Sequence, residues 1–257
     1  MSSGPACLLI HGFGGAPFEM LPLVEALQGL CPVVSVPTLP GHDTTVEDWS
    51  RTSWDDWLEA VDQEYRRLEK AHSRVFVMGL SMGGSLALAL AQRHSPAGVA
   101  VFAAAVYLYR FFPFEASDWR LPLTPVLRKI RPIWPKKPGS GKSRAIAPWQ
   151  GYEQAVALNP LYSMIQGLKQ VRRDLGKIKA PLLAVHSPLD SYVPFANAWE
   201  IVRRASSRER NLVVLNIEER VTGHHMLTTH QETKDTVAGL ARRFVAEHAG
   251  QDHGLSV

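Results

Sequence analysis

One short stretch limits the folds open to this chain more than any other: a strand, a serine between two glycines, and a helix in direct succession. Residues 75–78 are an apolar run typical of a buried parallel strand, and the small residues of 85–92 predict a closely packed helix. Between them, Gly79-Leu80-Ser81-Met82-Gly83 forms a G-x-S-x-G sequence. A turn this tight predicts a strained backbone at Ser81, whose hydroxyl then projects above the strand end. It also places the Met82 amide at a helix N-terminus, where it can stabilise an oxyanion.

The G-x-S-x-G pattern is short, so on this stretch alone a junction with an idle serine stays open. A second glycine-rich turn, His11-Gly12-Phe13-Gly14-Gly15, follows an apolar strand over residues 7–10. This turn is either an ordinary connection or a loop that directs the Phe13 amide to the same point as the Met82 amide. Its pairing with the serine turn favours the oxyanion loop. We expect His11, and His42 in a later loop, to fix loop conformation by hydrogen bonding.

An aspartate follows a later strand, predicted over residues 181–185. Asp190 therefore lies at the carboxyl edge of the sheet, the edge that also carries Ser81. An aspartate here could instead cap the helix that begins near Phe195, a common use of this residue type. Both roles stay open, and catalysis is favoured.

Two adjacent histidines follow the last predicted strand, residues 211–217. His224, directly after Gly223, is the better candidate for a general base, and His225 is expected to pack against the final helix at 232–248. No third ligand with a recognisable spacing accompanies the pair, so a metal site is not expected.

The order Ser81, Asp190, His224 is the Ser…Asp…His order of α/β-hydrolases, and the chain resembles that family, in particular small bacterial carboxylesterases and monoacylglycerol lipases. The resemblance implies that Ser81 is the nucleophile, His224 the base and acid, and Asp190 the residue that orients the histidine. It also implies oxyanion amides at Phe13 and Met82. The resemblance covers nearly the whole chain and is carried by His11-Gly12-Phe13-Gly14, Pro40-Gly41-His42, Gly79 to Gly84, Asp190 with Val193-Pro194, and Gly223-His224.

The fold expected from this resemblance is an α/β-hydrolase fold: a mostly parallel sheet of about six strands, flanked by helices, with a lid insertion. The antiparallel opening strands that many members carry are not expected, because the first predicted strand leads straight into the oxyanion loop. Residues 1–105 and 169–257 are assigned to the core and 106–168 to the insertion. Further expected strands are 32–36 and 97–105, and further expected helices are 18–27, 54–71 and 152–174.

The composition of the insertion differs from that of the rest of the chain. Residues 106–145 contain nine basic and two acidic side chains, a net charge of +7 in a protein whose total is +4. Seven aromatic residues and six prolines accompany these charges. The aromatics could line an acyl pocket beneath a lid. The charges either attract anionic substrates or an anionic lipid surface, or form a merely solvated face.

The expected activity is that of a serine carboxylesterase, which forms an acyl-enzyme and hydrolyses small to medium-chain acyl esters, with monoacylglycerols as one candidate substrate. A serine nucleophile excludes the dehalogenase and epoxide-hydrolase branches of the fold, which use aspartate. Lysophospholipase, thioesterase, acyltransferase and peptidase remain chemically open, as does a non-catalytic binding protein. No cofactor, metal or nucleic-acid partner is expected. Lacking a long apolar run or a leader before the first strand, the protein is expected to be cytoplasmic.

Overall fold

The computed structural model describes residues 4–112 and 114–250, built around one parallel sheet of six strands. The strand order is β10-β9-β4-β3-β1-β2, and every neighbouring pair in it is parallel. The expected fold class, with about six mostly parallel strands, is confirmed. The sheet strands are β1 (Ala6–Ile10), β2 (Val33–Ser35), β3 (Val75–Leu80), β4 (Gly98–Phe102), β9 (Leu182–His186) and β10 (Arg210–Val214).

Successive side chains along the central strands point to opposite faces of the sheet, so the apolar core lies in two layers, one on each face. In β1, Leu8 and Ile10 contribute to one apolar cluster, while Cys7 and Leu9 contribute to the other on the opposite face. The first layer is covered by the helices at residues 54–71, 82–93, 158–173 and 196–204, and the second by those at 21–27 and 234–249. The helices are α1 (Leu21–Leu27), α2 (Val46–Trp49), α3 (Trp54–Ala71), α4 (Met82–Arg93), α5 (Thr124–Ile130), α6 (Gly141–Ile146), α7 (Leu158–Arg173), α8 (Ala196–Arg204) and α9 (Lys234–Ala249).

Helix α3 shows how local sequence defines an element. Ser53 and Asp56 form a reciprocal capping box at its N-terminus, and the apolar side chains of Trp57, Val61 and Leu68 are buried along one side. The helix spans the residues that periodicity predicts, 54–71. None of the helices in the described part of the chain combines the length and apolar character needed to cross a bilayer.

The segment between β4 and α7 lies outside the main sheet. It contains two small antiparallel pairs, β5 with β6 and β7 with β8, together with α5 and α6. The expected helix at 152–174 is shorter, because residues 155–157 pair with 133–135 as strands and α7 starts at Leu158. Of the prolines counted in this segment, Pro113 lies outside the described residues. The additional strands are β5 (Tyr109–Phe111), β6 (Phe114–Ala116), β7 (Ile133–Pro135) and β8 (Ala155–Ala157).

Candidate active site

Ser81 lies in the tight turn between β3 and α4, with φ 55° and ψ −120°. A non-glycine residue with positive φ is strained, and here tertiary contacts stabilise the strained conformation. The Ser81 N–H donates to the carbonyl of Phe102 on the neighbouring strand at 2.8 Å. A Cβ on Gly79 would overlap the backbone of Gly83, and a Cβ on Gly83 would overlap the carbonyl of Ile10. Only glycine fits at these two positions, so strand and helix can approach closely around Ser81.

Three side chains from three separate loops meet at the carboxyl edge of the sheet. His225 Nε2 lies 2.8 Å from Ser81 Oγ, and His225 Nδ1 lies 2.7 Å from Asp190 Oδ2. Because the Asp190 carboxylate can only accept, Nδ1–H is the donor to it, which leaves Nε2 to accept from the serine hydroxyl. The arrangement can transfer the serine proton to the imidazole while the carboxylate stabilises the positive charge that forms.

Asp190 is organised for this contact and does not cap a helix. Its Oδ1 accepts from the backbone N–H groups of Tyr192 at 2.8 Å and Val193 at 3.0 Å, and α8 begins at Ala196 without a side-chain cap. His186 Nε2 lies 3.3 Å from its Oδ2. Burial works to raise the pKa of Asp190, but the charge of His225 and the hydrogen bonds from His186 and His225 hold it at about 2. The carboxyl is therefore ionised at neutral pH.

The pKa of His225 is raised above its usual value of 6.5. Burial opposes this shift, and the charge and hydrogen bond of Asp190 outweigh it, with a further contribution from Glu19. The side chain of His225 is 12% exposed, so substrate can reach a ring that is otherwise enclosed.

The expectation that His224 is the base is wrong for the geometry of the site. The His224 ring is buried and turned away from Ser81, and its Nε2–H donates to the carbonyl of Glu219 at 2.7 Å. His224 has φ 54°, in the left-handed region, and the ring of the next residue, His225, faces Ser81. His225, expected to pack against the last helix, was the residue missed. Spacing from Gly223 cannot separate two adjacent histidines, and no other local signal does.

The loop that carries His225 is held by a polar network around Glu219. The Glu219 carboxylate accepts from the Thr222 N–H at 3.0 Å and from the Thr222 hydroxyl. His230 Nε2 lies 3.1 Å from the same carboxylate, and the His230 ring is fully buried. The loop contains no regular element between β10 and α9, so these side-chain contacts replace secondary structure in fixing it.

The two expected oxyanion residues border the same space. Met82 is the first residue of α4, so its N–H is among those that the helix leaves unpaired. Phe13 follows Gly12, and a Cβ placed on Gly12 would lie 3.5 Å from Ser81 Cβ. His11 and His42 fix this loop, since His11 Nε2 accepts from the Leu39 N–H at 3.2 Å and His42 Nε2 accepts from the Gly14 N–H at 3.1 Å.

These two histidines are neutral at physiological pH. Burial lowers the pKa of His11 to about 3 and that of His42 to about 4. Each ring uses its unprotonated Nε2 as an acceptor and donates from Nδ1 to a backbone carbonyl, to Gly12 at 3.0 Å and to Pro40 at 3.2 Å.

Four of the aromatic side chains between β4 and α7 are largely exposed, and two of these also border a cavity. Phe112 is 95% exposed, and Phe111, Phe114 and Trp119 are each more than 60% exposed. A cavity of ≈ 350 Å³ does lie beneath the β5–β6 hairpin. Its walls come from the hairpin and from α7, with Tyr107, Tyr109, Phe111, Phe112, Ile165 and Leu168 among the lining residues.

The chain matches the alpha/beta hydrolase family over residues 7–239. It belongs to this family. A thermostable monoacylglycerol lipase from Bacillus sp. (strain H-257) is 32% identical over 250 residues, covering 96% of this chain and 93% of the lipase. Together, the family and this relative make the protein a carboxylic ester hydrolase.

Solved structures of α/β-hydrolases share the fold of this hydrolase. One from work on the metagenome-derived lipolytic enzymes LipS and LipT has a TM-score of 0.82 at 24% identity, covering 96% of this chain and 95% of that one. The monoacylglycerol lipase of Paleococcus ferrophilus has a TM-score of 0.75 at 16% identity, with 96% of both chains covered. At these identities the likeness concerns the fold.

Proposed function

We propose that this hydrolase cleaves esters of medium-length acyl chains, monoacylglycerols among them, through an acyl-enzyme on Ser81. The observation that carries the proposal is the continuous hydrogen-bonded series from Ser81 Oγ through the His225 ring to Asp190. The Bacillus relative is a monoacylglycerol lipase, which supports the choice of substrate.

In the proposed mechanism, His225 Nε2 takes the hydroxyl proton as Ser81 Oγ bonds to the ester carbonyl carbon. The carbonyl oxygen becomes an oxyanion, stabilised by the amides of Phe13 and Met82. When the carbon–oxygen bond to the alcohol breaks, the imidazolium returns its proton to the leaving alkoxide. A water molecule, deprotonated by the same ring, then releases the carboxylic acid and regenerates Ser81. Asp190 keeps the ring in the required tautomer throughout.

We propose that residues 106–168 act as a cap that shapes the acyl site and makes transient contact with lipid. The cavity beneath the β5–β6 hairpin supports the proposal, because aromatic and aliphatic side chains line it together with the cations Arg110, Lys169 and Arg172, a mixture suited to an acyl chain beside an anionic group. Exposed apolar side chains at Phe112, Val126 and Ile130 lie in a segment rich in cations, a combination suited to an anionic lipid surface.

The nucleophile and the substrate class can be tested together. A fluorophosphonate should label the wild-type enzyme and leave Ser81→Ala unlabelled, and Ser81→Ala should lose on the order of 10³-fold or more in kcat. On p-nitrophenyl esters and monoacylglycerols of increasing chain length, octanoate should be hydrolysed faster than acetate. Equal labelling of both proteins would remove Ser81 from the mechanism, and a preference for acetate would remove the acyl site.

The lipid contact is tested by salt and by one exposed side chain. Electrostatic attraction is screened over about 8 Å at physiological salt, so kcat/KM for anionic esters should fall with ionic strength more than for neutral esters of equal length. Phe112→Ser should weaken binding to anionic vesicles, whereas Trp199→Ser, an exposed aromatic on α8, should not. If both substrates respond alike to salt and both variants bind vesicles as the wild type does, the cap face is only solvated.

A further inference from the structure

Glu19 is a buried carboxyl that the proposed mechanism does not use. It lies in the 3₁₀ turn Pro17–Met20, directly after the oxyanion loop, and is 1% exposed. Its Oε2 accepts from the Gly12 N–H at 2.6 Å, and its Oε1 accepts from the indole Nε1–H of Trp149 at 2.6 Å. Burying a carboxyl is costly, and these two hydrogen bonds offset part of that cost.

The first of these contacts places Glu19 behind the reacting groups. Gly12 directly precedes Phe13, whose amide is the proposed oxyanion donor. A Cβ placed on Gly12 would lie 3.1 Å from Glu19 Oε2 and 3.5 Å from Ser81 Cβ. The carboxyl and the nucleophile therefore both lie close to the same glycine.

The second contact joins Glu19 to residues 147–152, which we call the cap return. Besides Trp149, this segment contributes the N–H of Tyr152, which donates to the carbonyl of Gly14 at 3.0 Å. Tyr152 also stacks on Trp49 with ring centroids 4.6 Å apart. The cap return is thus bonded directly to the oxyanion loop, and Glu19 lies where the two meet.

Glu19 and His225 also interact through their charges. Burial raises the pKa of Glu19 to about 7, against the hydrogen bonds from Gly12 and Trp149 and the attraction of His225. In turn, Glu19 adds to the effect of Asp190 in raising the pKa of His225, and Lys136 opposes it. The imidazole rings of His11, on the oxyanion loop, and of His42, which accepts a hydrogen bond from it, are neutral and contribute no charge at physiological pH.

We infer that Glu19 is a positioning residue for the hydrolysis proposed above: its carboxyl ties the oxyanion loop to the cap return through two hydrogen bonds and, in its ionised form, presents a second negative charge to the His225 imidazolium. Both of its partners are N–H donors, which a carboxylate can satisfy at once. A glutamine satisfies one and turns its own NH₂ group toward the other. The role rests on the proposed function, because it acts on the groups named there.

The test compares kcat, KM and the pH dependence of kcat/KM for four enzymes on one p-nitrophenyl ester. Glu19→Gln should lower kcat by about 10-fold, with KM nearly unchanged, because a donor next to the oxyanion loop is left unpaired. The acidic limb of its profile should move to lower pH, because the imidazolium loses an attracting charge. Trp149→Phe keeps the charge and should lower kcat without moving the limb downward. Glu25→Gln, an exposed carboxyl on α1, is the matched control and should follow the wild type.

A Glu19→Gln enzyme with reduced kcat but the wild-type pH profile overturns the inference, since a merely structural side chain gives that result. Wild-type kinetics in both Glu19→Gln and Trp149→Phe overturn it as well. If Glu19→Gln does not fold, the kinetics of Trp149→Phe test the inference instead. A lower kcat at constant KM supports the link between the oxyanion loop and the cap return, and unchanged kinetics refute it. Ser81→Ala is measured beside them, because an active Ser81→Ala enzyme would refute the proposed function itself, whatever the Glu19 variants do.

Discussion

The serine turn and the histidine loop supply two halves of one site, yet they are built in different ways. The serine turn joins a strand to a helix, and its conformation follows from residues within the pattern: Gly79 and Gly83 allow the close approach, and Ser81 takes the strained φ. The histidine loop has no regular element between β10 and α9, and Glu219 and its partners hold it in place. A side chain positioned by secondary structure can be located from a motif. One positioned by a network of side chains cannot.

The largest effect should separate the two adjacent histidines. His225→Gln removes the ring that bonds both Ser81 and Asp190, so kcat should fall on the order of 10³-fold or more. His224→Gln should keep most of the activity, because that ring faces Glu219. Steady-state kinetics on one ester measure both. A dead His224→Gln beside an active, folded His225→Gln would restore the assignment based on spacing.

The serine turn should be sensitive to a single methyl group. Gly83→Ala forces a Cβ against the carbonyl of Ile10, and overpacking of this kind costs roughly 1–3 kcal/mol in the free energy of unfolding. Gly239→Ala in α9 is the matched control, since a Cβ there meets nothing within 4 Å, and it should stabilise by about 0.5–1 kcal/mol. Urea denaturation of both variants checks the pair. Equal stability would mean that the turn is not tightly packed.

The histidine loop should instead be sensitive to the loss of a distant carboxylate. Glu219→Ala removes the acceptor for Thr222 and His230, and a misplacement of His225 by about 1 Å can cost as much as ~10²-fold in kcat. Glu218→Ala, the exposed neighbour, should have little effect. If Glu219→Ala retains full kcat, the loop is fixed by its backbone, and the contrast with the serine turn disappears.

The smallest expected effect concerns the pH at which kcat/KM begins to fall. His225 accepts a proton only when neutral, and its pKa is raised above 6.5, so kcat/KM should fall with decreasing pH along a limb centred above pH 6.5. The same raised pKa means that the stabilisation from the His225–Asp190 pair is complete below the unfolded pKa and is lost as pH rises through the folded one. A pH series of kcat/KM for the wild type and His224→Gln should give the same limb. A shift in His224→Gln would show that the buried ring also titrates with the site.

The insertion of residues 106–168 shows a further limit of sequence patterns. Its aromatic and proline-rich composition predicts an insertion, and its described residues contribute no strand to the main sheet. The composition does not show whether these aromatic side chains point into the protein or toward solvent. Phe111 and Phe114, paired across the β5–β6 hairpin, are exposed, whereas Tyr107 just before the hairpin is buried.

The sequence by itself determined the parallel sheet, the strained serine between its glycines, the glycine-rich loop after the first strand and the aspartate after the fifth strand of the sheet in chain order. Each is encoded within a few residues, by apolar runs or by glycines that only one turn geometry requires. Only the tertiary structure decided between His224 and His225, and only it brought Glu19 and Trp149 together across 130 positions of the chain. The physical reason is the same in both cases. The direction of a side chain in a loop depends on φ and ψ at one residue and on partners far away in sequence, and neither is written in the local pattern of residue types.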